Sequence, residues 1–409
     1  MVVVFFYPSK NIGGVQTLFY RIGKQLSDSF DVCYVDEIDG FYTQSGVRDF
    51  ATIVNTTSSF NMFNTKDVVV ILPPSEIIKA KKYFQGGERM FMWHVHPYNT
   101  ISFIPGFNLF TKFNKNKIRL LLNVFYRQPF QKLKALLLLA IQKKSLFFMD
   151  GANLEVFDYF YSNNIKPKKL IPIPVFCPKH EKKTVDISGE GQEKVVWVGR
   201  IEHFKASILD FVIQEFLALK DVRERYIFVV VGDGIELERF ILKYKAYPCI
   251  HFVGTYSPNQ LSLLLNENIK ISFCMGTAAL ETAKMSIPTI LLDAFYNEVP
   301  DTYKFKWLYE SPDFNLGKVI DKSVHGYFLG EKLLNVFNEL DDREAEVSIK
   351  CFDYVNSNHN INGITKLVAN SIADAELTFN DIPDFEGDST FRFVKIMRDF
   401  SRFCRSKGV

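Results

Sequence analysis

The sequence predicts an α/β protein built from two doubly wound domains that face each other across a cleft. Strand-like apolar runs alternate with helix-like periodic segments twice along the chain, and a proline-rich polar stretch separates the two series. Strands that alternate with helices indicate βαβ units and a parallel sheet, because parallel strands need a crossover connection. The length of 409 residues, with 47% hydrophobic and 23% charged residues, fits two globular domains.

The first series of strands and helices opens at the N-terminus. Val2–Tyr7 is a continuous apolar run rich in β-branched and aromatic residues, as expected of a strand covered on both faces. Val15–Leu26 has apolar residues at helical spacing and predicts a helix. Further strands are predicted at Asp31–Val35, Val68–Leu72 and Met90–Val95.

The second series follows the linker and again has the alternation of a Rossmann-like unit. Its predicted strands are Val195–Val198, Tyr226–Val231, Ile250–Val253, Ile269–Phe273 and Thr289–Leu292. Two such units leave a cleft at the carboxyl ends of their sheets, where ligands bind. We therefore divide the chain into an N-terminal domain at 1–170, a linker at 171–193, a C-terminal domain at 194–355 and C-terminal helices at 356–409.

Composition and local patterns exclude several classes of function. The formal net charge of +3 gives no reason to expect a nucleic-acid partner. Six widely spaced cysteines without a CxxC pair argue against a disulfide framework or a zinc site and fit a reducing compartment. No secretory signal is recognisable, and no apolar run approaches the roughly 20 residues of a membrane span. These observations predict a cytoplasmic protein. No metal-ligand motif follows a strand near the predicted cleft, so we also expect no metal site.

Ligand-binding groups follow two strands of the C-terminal domain. One strand ends in Gly199 and Arg200, with Lys205 five residues later. A strand-end glycine lets the backbone approach a ligand, while arginine offers phosphate a two-pronged hydrogen bond and lysine a point charge. A second strand ends in Gly254, where the backbone can pair with a nucleobase edge and Tyr256 can stack on it. The alternative is a pair of turns with solvated side chains.

A third strand end predicts an anion site. Ile271–Glu281 has the pattern of a strand, a tight turn at Gly276 and Thr277, and a helix. The unpaired N–H groups at a helix start, with the positive end of the helix dipole, suit an anion. Glu281, about one turn into the helix, can accept hydrogen bonds from a ribose diol. The alternatives are a plain N-cap at Thr277 and a first-turn acid at Glu281.

In order and spacing these motifs resemble the nucleotide-sugar half of GT-B glycosyltransferases. They are Gly199-Arg-x4-Lys205, Val231-Gly-Asp-Gly234, Phe252-Val-Gly254, Gly276-Thr-x3-Glu281 and Lys284-Met-Ser-Ile-Pro288. They are most similar to the large retaining family whose signature is two glutamates with seven residues between them. The resemblance implies that Arg200 and Lys205 contact the donor diphosphate and that Glu281 binds the ribose.

The resemblance extends to the N-terminal half and so covers most of residues 1–295. Gly13 and Gly14 match the family's loop before the first helix, where backbone N–H groups face donor phosphate or acceptor. His94 and His96 stand at a strand end where family members keep a histidine beside the transferred sugar. We favour His96 as the catalytic histidine, and a core role for His94 with a bond to backbone is the alternative.

One position departs from the family's pattern. The first glutamate of the pair would stand at position 273, where this chain has Phe273. In the family that acid lies near the hydroxyls of the donor sugar. The departure leaves the sugar, the catalytic mode and activity itself open.

Two segments combine cations with apolar residues. Residues 112–144 contain nine lysines and arginines and no acidic residue, and residues 389–409 again combine lysines and arginines with apolar residues at helical spacing. Such surfaces can lie on anionic lipid, each near-surface cation contributing about 1 kcal/mol. A solvated helix face over an ordinary core is the alternative. In GT-B proteins the last helix commonly crosses back onto the N-terminal domain, which implies packing for residues 363–377 and leaves the tail for membrane or a partner.

The sequence thus predicts a metal-independent glycosyltransferase of polysaccharide biosynthesis, with the resemblance implying retention of configuration. Its donor would be a nucleoside-diphosphate sugar, with no further cofactor, and its acceptor a cell-surface glycan or a lipid-linked molecule. It would be cytoplasmic, with a peripheral position at the inner face of the membrane. A catalytically silent GT-B module that serves as a membrane-bound scaffold is the alternative, motivated by Phe273. A sugar-nucleotide epimerase of the same architecture is a third.

Overall fold

Two six-stranded sheets organise the chain, one in each of two units. The computed structural model describes residues 1–10, 13–58, 60, 67–84, 86–102, 115–161, 170–177, 192–320 and 328–385. One unit consists of Met1–Pro174 together with the described residues from Ile361 onward, and the other is Val175–Asn360. The predicted pair of doubly wound α/β units is therefore confirmed.

The first sheet is entirely parallel, with the strand order β3-β2-β1-β4-β5-β6. Its strands are β1 (Val2–Phe6), β2 (Asp31–Asp36), β3 (Thr52–Asn55), β4 (Val68–Leu72), β5 (Arg89–His94) and β6 (Leu146–Phe148). The chain builds outward from β1 on one side and then returns to build outward from β4 on the other. This is the order of a doubly wound sheet.

The second sheet has the order β13-β11-β10-β7-β8-β9, parallel except for β13. Its strands are β7 (Lys194–Val198), β8 (Ile227–Val231), β9 (Ile250–Gly254), β10 (Ile269–Cys274), β11 (Thr289–Leu291) and β13 (Lys306–Trp307). A separate parallel pair is formed by β12 (Ala294–Phe295) and β14 (Val319–Ile320).

Helices connect the strands of both sheets. In the first unit these are α1 (Gly14–Leu26), α2 (Phe41–Gln44), α3 (Ile77–Ala80), α4 (Lys115–Val124), α5 (Arg127–Gln142) and α6 (Gly151–Tyr161). The second unit contains α7 (His203–Ala218), α8 (Lys220–Arg225), α9 (Leu237–Tyr244), α10 (Pro258–Leu265), α11 (Thr277–Ala283) and α12 (Leu333–Asn358). The last described helix is α13 (Ile361–Asp374).

Alternate residues of a central strand pack on opposite faces of the sheet. In β1, Val2, Val4 and Phe6 belong to one hydrophobic cluster, and Val3 and Phe5 belong to another. Helices α4, α5 and α6 contribute to the first cluster, and α1 and α13 contribute to the second. A strand covered on both faces can be apolar at every position, which explains the continuous runs in the sequence.

Helix α13 belongs to the first unit, as the predicted crossing back of the C-terminal helices requires. Its Ile364 and Val368 are buried in the same cluster as Phe19 and Ile22 of α1. The polypeptide therefore passes through the whole second unit before it completes the core of the first.

Each strand predicted from the sequence is present, with ends that differ by at most one residue. Two strands of the first sheet were missing from the prediction, as were the two-residue strands β12, β13 and β14. Strand β3 lies at the sheet edge and is only partly covered, and β6 has three residues. Neither offers the long apolar run by which a buried strand is recognised.

The first residues of the predicted linker 171–193 are not an exposed connection. Ile171 and Val175 are fully buried, and the Ile171 N–H donates to the carbonyl of Phe148 at 2.8 Å. Residues 178–191 lie outside the described residues, as does the basic tail at 389–409. No helix in the described part of the chain is long and apolar enough to cross a membrane.

Gly232 lies where the loops after β7 and β8 touch. Its φ of +146° strains any other residue, and a Cβ here would overlap the carbonyl oxygen of Gly199. Two backbone hydrogen bonds connect the same loops. The Gly199 N–H donates to the Val231 carbonyl at 3.0 Å, and the Ile201 N–H donates to the Asp233 carbonyl at 2.8 Å. The glycine thus permits the backbone approach that fixes the loop after β7.

We expect Gly232→Ala to lower the free energy of unfolding by about 2 kcal/mol or more, because strain and overlap act together. Gly363→Ala is the matched control, since the space beside this helical glycine is open. It should leave stability unchanged or raise it by up to about 1 kcal/mol. Urea unfolding measures both variants, and a Gly232→Ala protein as stable as the wild type would contradict the interpretation.

Candidate functional site

The order in which strands are added to the second sheet reverses between β7 and β10, which are parallel neighbours. From β7 the chain runs through β8 to β9 on one side, and then returns to β10 on the other side of β7. Val198 is in register with Cys274, so the loops that begin at Gly199 and Met275 leave the sheet side by side. Ligands of parallel α/β sheets bind at the carboxyl edge where such a reversal occurs. This edge is the candidate site.

Two cations lie at the reversal. Arg200 is exposed, and Lys205, in the first turn of α7, is partly buried. The Nζ atom of Lys205 lies 3.8 Å from the position that a Cβ would take on Gly199, and 5.7 Å from the centroid of the Phe204 ring. Burial lowers the pKa of Lys205, and the like charge of Arg200 lowers it further. Among the described residues neither cation forms an ion pair. An anion bound here would relieve the repulsion.

Gly276 and Thr277 reach the same edge. Gly276 has a φ of +65° with open space beside it, and its N–H donates to the carbonyl of Leu316 at 2.7 Å. It is the N-cap of α11, so Thr277 is the first helical residue rather than the cap, and Thr277 is exposed. The first N–H groups of a helix have no partner inside it, although in α11 the Ala279 N–H already donates to the carbonyl of Gly276 at 3.2 Å.

Glu281 makes an ion pair that the sequence reasoning did not foresee. Its Oε2 lies 2.5 Å from Nζ of Lys284, and both side chains are about four-fifths buried, with exposures of 21% and 19%. The charges of both side chains act on the nearby thiol of Cys177, and burial raises the pKa of this thiol to about 11. The carboxylate is therefore held in place by a cation, and Cys177 is a neighbour that no motif indicated.

Gly254 and Tyr256 stand at the same edge but farther along it. Gly254 ends β9 with a φ of +71° and open space beside it, and Tyr256 is partly buried before α10 begins. One strand, β8, separates β9 from β7, which corresponds to about 10 Å at the usual strand spacing. The predicted base-binding and diphosphate-binding groups are thus neighbours rather than one cluster.

Phe273 is a core residue of the second sheet. It is 1% exposed in β10, stacked on Phe228 at 6.3 Å between centroids and edge-on to Phe305 at 5.8 Å. Strand β10 ends at Cys274 and α11 begins at Thr277. A glutamate at position 273 would be buried among aromatic rings, and only two residues connect strand and helix. Position 273 is thus a core position in this strand and not one from which a side chain could reach a ligand.

The two histidines of the first unit have opposite environments. His94, the last residue of β5, is fully buried beside Phe148 at 4.8 Å between centroids. Neither of its ring nitrogens has a hydrogen-bond partner among the described residues, although Asn153 lies near. Burial lowers its pKa to about 3, so it is neutral. His96 is exposed in the following loop, where its Nδ1 accepts from the Tyr98 N–H at 3.3 Å.

The glycine pair at the start of α1 lies beside a buried amide side chain. Gly13 is the N-cap of α1, and a Cβ on it would stand 2.8 Å from Oε1 of Gln16, a side chain with 4% exposure. The space beside Gly14 is open. Gly13, Gly14 and His96 belong to the first unit, whereas the remaining predicted site residues belong to the second. In the part of the chain that the structure describes, no group of three or more His, Cys, Asp or Glu side chains could hold a metal ion.

Comparisons with known proteins identify the fold. No protein-family model matches the chain, and no curated protein matches its sequence. Anabaena HepE in complex with UDP is similar in structure, with a TM-score of 0.57, 12% identity, and coverage of 91% of this chain and 100% of that one. A glycosyltransferase from Rickettsia africae has a TM-score of 0.56, 11% identity, and coverage of 91% and 98%. WaaG, a glycosyltransferase involved in lipopolysaccharide biosynthesis, has a TM-score of 0.52, 15% identity, and coverage of 91% and 99%. At such low identities the likeness shows the fold, which is GT-B.

The buried neutral state of His94 predicts a loss of stability in acid. Below about pH 6.5 His94 is protonated in the unfolded chain, whereas in the folded protein it stays neutral down to about pH 3. Between these values the free energy of unfolding therefore falls by about 1.4 kcal/mol for each unit by which the pH is lowered. Asp150 opposes this, because burial raises its pKa to about 6 and the folded state takes up its proton first. In His94→Phe only the first contribution disappears.

We therefore expect the stability of His94→Phe to rise relative to the wild type by about 1.4 kcal/mol per unit as pH falls from about 6.5 to about 4.5. Urea unfolding of both proteins across this range provides the measurement. A difference between them that does not change with pH would show that His94 is protonated in the folded protein.

Proposed function

We propose that this chain is a glycosyltransferase whose donor, a nucleoside-diphosphate sugar, binds at the carboxyl edge of the second sheet. The observation that carries the proposal is the pair of cations at the reversal between β7 and β10, Arg200 and Lys205, which form no ion pair with any residue that the structure describes. The structures of HepE support it, since they contain UDP, UDP with glucose, and UDP-glucose. We take UDP as the first nucleotide to test.

The proposed chemistry uses the cations on the leaving group. When the bond between the sugar's anomeric carbon and the diphosphate oxygen breaks, negative charge develops on the diphosphate. Arg200 and Lys205 would stabilise this charge more strongly in the transition state than in the bound donor, which is the condition for catalysis. The N–H of Thr277, at the start of α11, would add a hydrogen bond, and Gly276, whose own N–H donates to Leu316, would let the diphosphate approach the backbone. In this proposal the cationic side chains take the role that a metal ion has elsewhere, and no further cofactor is used.

The other assignments remain predictions for the same donor. Glu281 would accept hydrogen bonds from the ribose, and the backbone after Gly254, with Tyr256, would hold the base. His96, exposed in the first unit, would contact the transferred sugar as the catalytic histidine. Retention of configuration, membership of the two-glutamate family and a glycan or lipid-linked acceptor rest on the resemblance. The name of WaaG, with its link to lipopolysaccharide, is in keeping with such an acceptor.

A catalytically silent module is the second candidate function. The burial of Phe273 favours it, because no acid stands where the family's first glutamate would. Such a protein would bind UDP through Arg200 and Lys205 without releasing UDP from any UDP-sugar in the presence of acceptor extracts. Turnover of one UDP-sugar would exclude it.

We also propose that one helical surface of the first unit rests on anionic lipid. On α4 and directly after it, Leu120, Val124 and Phe125 are 64%, 59% and 65% exposed, and Lys117 and Arg127 nearby are exposed too. The opposite side of α4 is anchored in the core. Residues 112–144 themselves contain no acidic residue. Apolar side chains flanked by cations match the apolar and anionic layers of a membrane surface.

Not all cations of this segment face outward. Nζ of Lys143 forms an ion pair with Asp381 at 2.7 Å, and Nζ of Lys132 donates to the carbonyl of Asp384 at 2.9 Å. These two lysines hold the residues that follow α13 onto the first unit. Their role is structural, and the proposed lipid contact is limited to α4 and the start of α5.

Arg200→Ala and Lys205→Ala should each weaken UDP binding by about 10- to 100-fold, because each removes a hydrogen bond to a charged group. Isothermal titration calorimetry on the full chain measures the loss. Lys220→Ala is the control, since this exposed lysine of α8 lies beside Glu224 and away from the reversal. UDP affinities equal to wild type in both site variants would refute the donor site.

The double variant Leu120→Ser/Phe125→Ser should lose most of its binding to vesicles that contain phosphatidylglycerol, and wild-type binding should weaken at high salt. Co-sedimentation measures the bound fraction. Leu242→Ser, at an apolar residue of α9 that is 72% exposed, should bind as the wild type does. If the wild-type protein does not bind these vesicles, or if the double variant binds them equally well, the proposed lipid contact is wrong.

A further inference from the structure

The strand order of the first sheet also reverses, between β1 and β4, and the proposed donor site lies elsewhere. The chain builds β1, β2 and β3 on one side, and β4, β5 and β6 on the other. Phe5 is in register with Ile71, so the residues that follow β1 and β4 leave the sheet side by side. Tyr7 follows β1, and a 3₁₀ turn at Pro74–Glu76 follows β4. Two polar side chains are thus brought to a ligand-binding edge.

Glu76 is a carboxylate without a counter-charge in contact. Its backbone is fixed by the N–H that donates to the Pro73 carbonyl at 2.9 Å. The side chain is partly buried, and burial raises its pKa, while the charge of Lys79 offsets this only in part. In the described ranges no residue hydrogen-bonds to it or forms an ion pair with it. A partly desolvated carboxylate gains free energy when a ligand donates hydrogen bonds to it.

Tyr7 joins this carboxylate to α1. Its ring lies edge-on to that of Phe19 at 6.5 Å between centroids. Burial raises the pKa of the Tyr7 hydroxyl, and the charge of Glu76 raises it further, so the phenol and the carboxylate are neighbours. The phenol can donate and accept a hydrogen bond, and its ring offers an apolar face. No hydrogen-bond partner for it occurs among the residues that the structure describes.

Helix α1 adds hydrogen-bond donors to the same edge. It has 13 residues, its N-cap Gly13 provides no side-chain cap, and the space beside Gly14 is open. Its first-turn N–H groups alone would suit an anion. The carboxylate of Glu76 on the neighbouring loop changes this preference, because it repels phosphate. A group that both donates and accepts hydrogen bonds, as a sugar hydroxyl does, suits all three elements.

We propose that Tyr7, Glu76 and the start of α1 form a binding site for an uncharged sugar unit of the acceptor. Glu76 accepts hydrogen bonds from its hydroxyl groups, and Tyr7 contributes a hydrogen bond and an apolar surface. The site selects against a phosphate or carboxylate group at this position. This inference rests on the proposed glycosyl transfer and narrows its acceptor to one with a neutral sugar terminus.

The test is saturation-transfer NMR on the full chain at neutral pH with defined probes. The neutral probes are the methyl glycosides of glucose, galactose, mannose and N-acetylglucosamine, and the anionic probe is glucose 6-phosphate. We expect transfer to at least one neutral glycoside and none to glucose 6-phosphate. Glu76→Ala should reduce the glycoside signal about ten-fold, and Tyr7→Ala should reduce it as well.

A charge-neutral variant makes the selection itself testable. In Glu76→Gln the repulsion is gone, so glucose 6-phosphate should now give a signal. Glu155→Gln, at an exposed carboxylate of α6, is the matched control and should behave as the wild type. The proposal is overturned if no neutral glycoside binds the wild type, if Glu76→Ala leaves the signal unchanged, or if glucose 6-phosphate binds the wild type equally well.

UDP binding by the same variants separates this inference from the proposed function. All Tyr7 and Glu76 variants should keep wild-type affinity for UDP, which also shows that they are folded. Normal UDP binding with a glycoside signal that is independent of Glu76 would refute the sugar site alone. A Glu76-dependent glycoside signal in a protein that does not bind UDP would refute the donor site alone.

Discussion

The parallel arrangement of the strands is the constraint on which both units depend. Parallel strands need a crossover after each strand and cover on both faces, so every strand of a sheet ends at the same edge. Residues far apart in sequence, such as Gly199 and Gly276, therefore meet beyond β7 and β10. The apolar core below that edge also sets its electrostatics. Lys205, partly buried beside Arg200, is a cation held where water compensates its charge poorly.

Features that depend on local pattern could be predicted from the sequence. Buried strands such as β1 and β7 are continuous apolar runs, and the helical spacing of apolar residues in α1 shows which side meets the core. The groups that follow β7 and β10 could be assigned to one edge because strand ends are visible in the sequence. Arg200 and Lys205 could thus be placed together without knowledge of any coordinate.

Features that depend on strand order or side-chain direction could not be predicted. Pro74–Glu76 reads as an ordinary turn until β4 is known to lie beside β1, and then Glu76 becomes a neighbour of Tyr7. The ion pair of Glu281 with Lys284 and the burial of His94 likewise depend on packing. Phe273 differs, because counting from Glu281 identified the departure, whereas only the structure explains it by the two-residue connection after β10.

The discontinuous composition of the first unit has a consequence for biosynthesis. Ile364 and Val368 of α13 close the cluster that Phe19 and Ile22 begin, yet the ribosome synthesises them after all of β7 to α12. Until then one face of the N-terminal sheet lacks part of its cover and exposes apolar side chains to solvent or to chaperones. The unit that leaves the ribosome first is therefore the last to become complete.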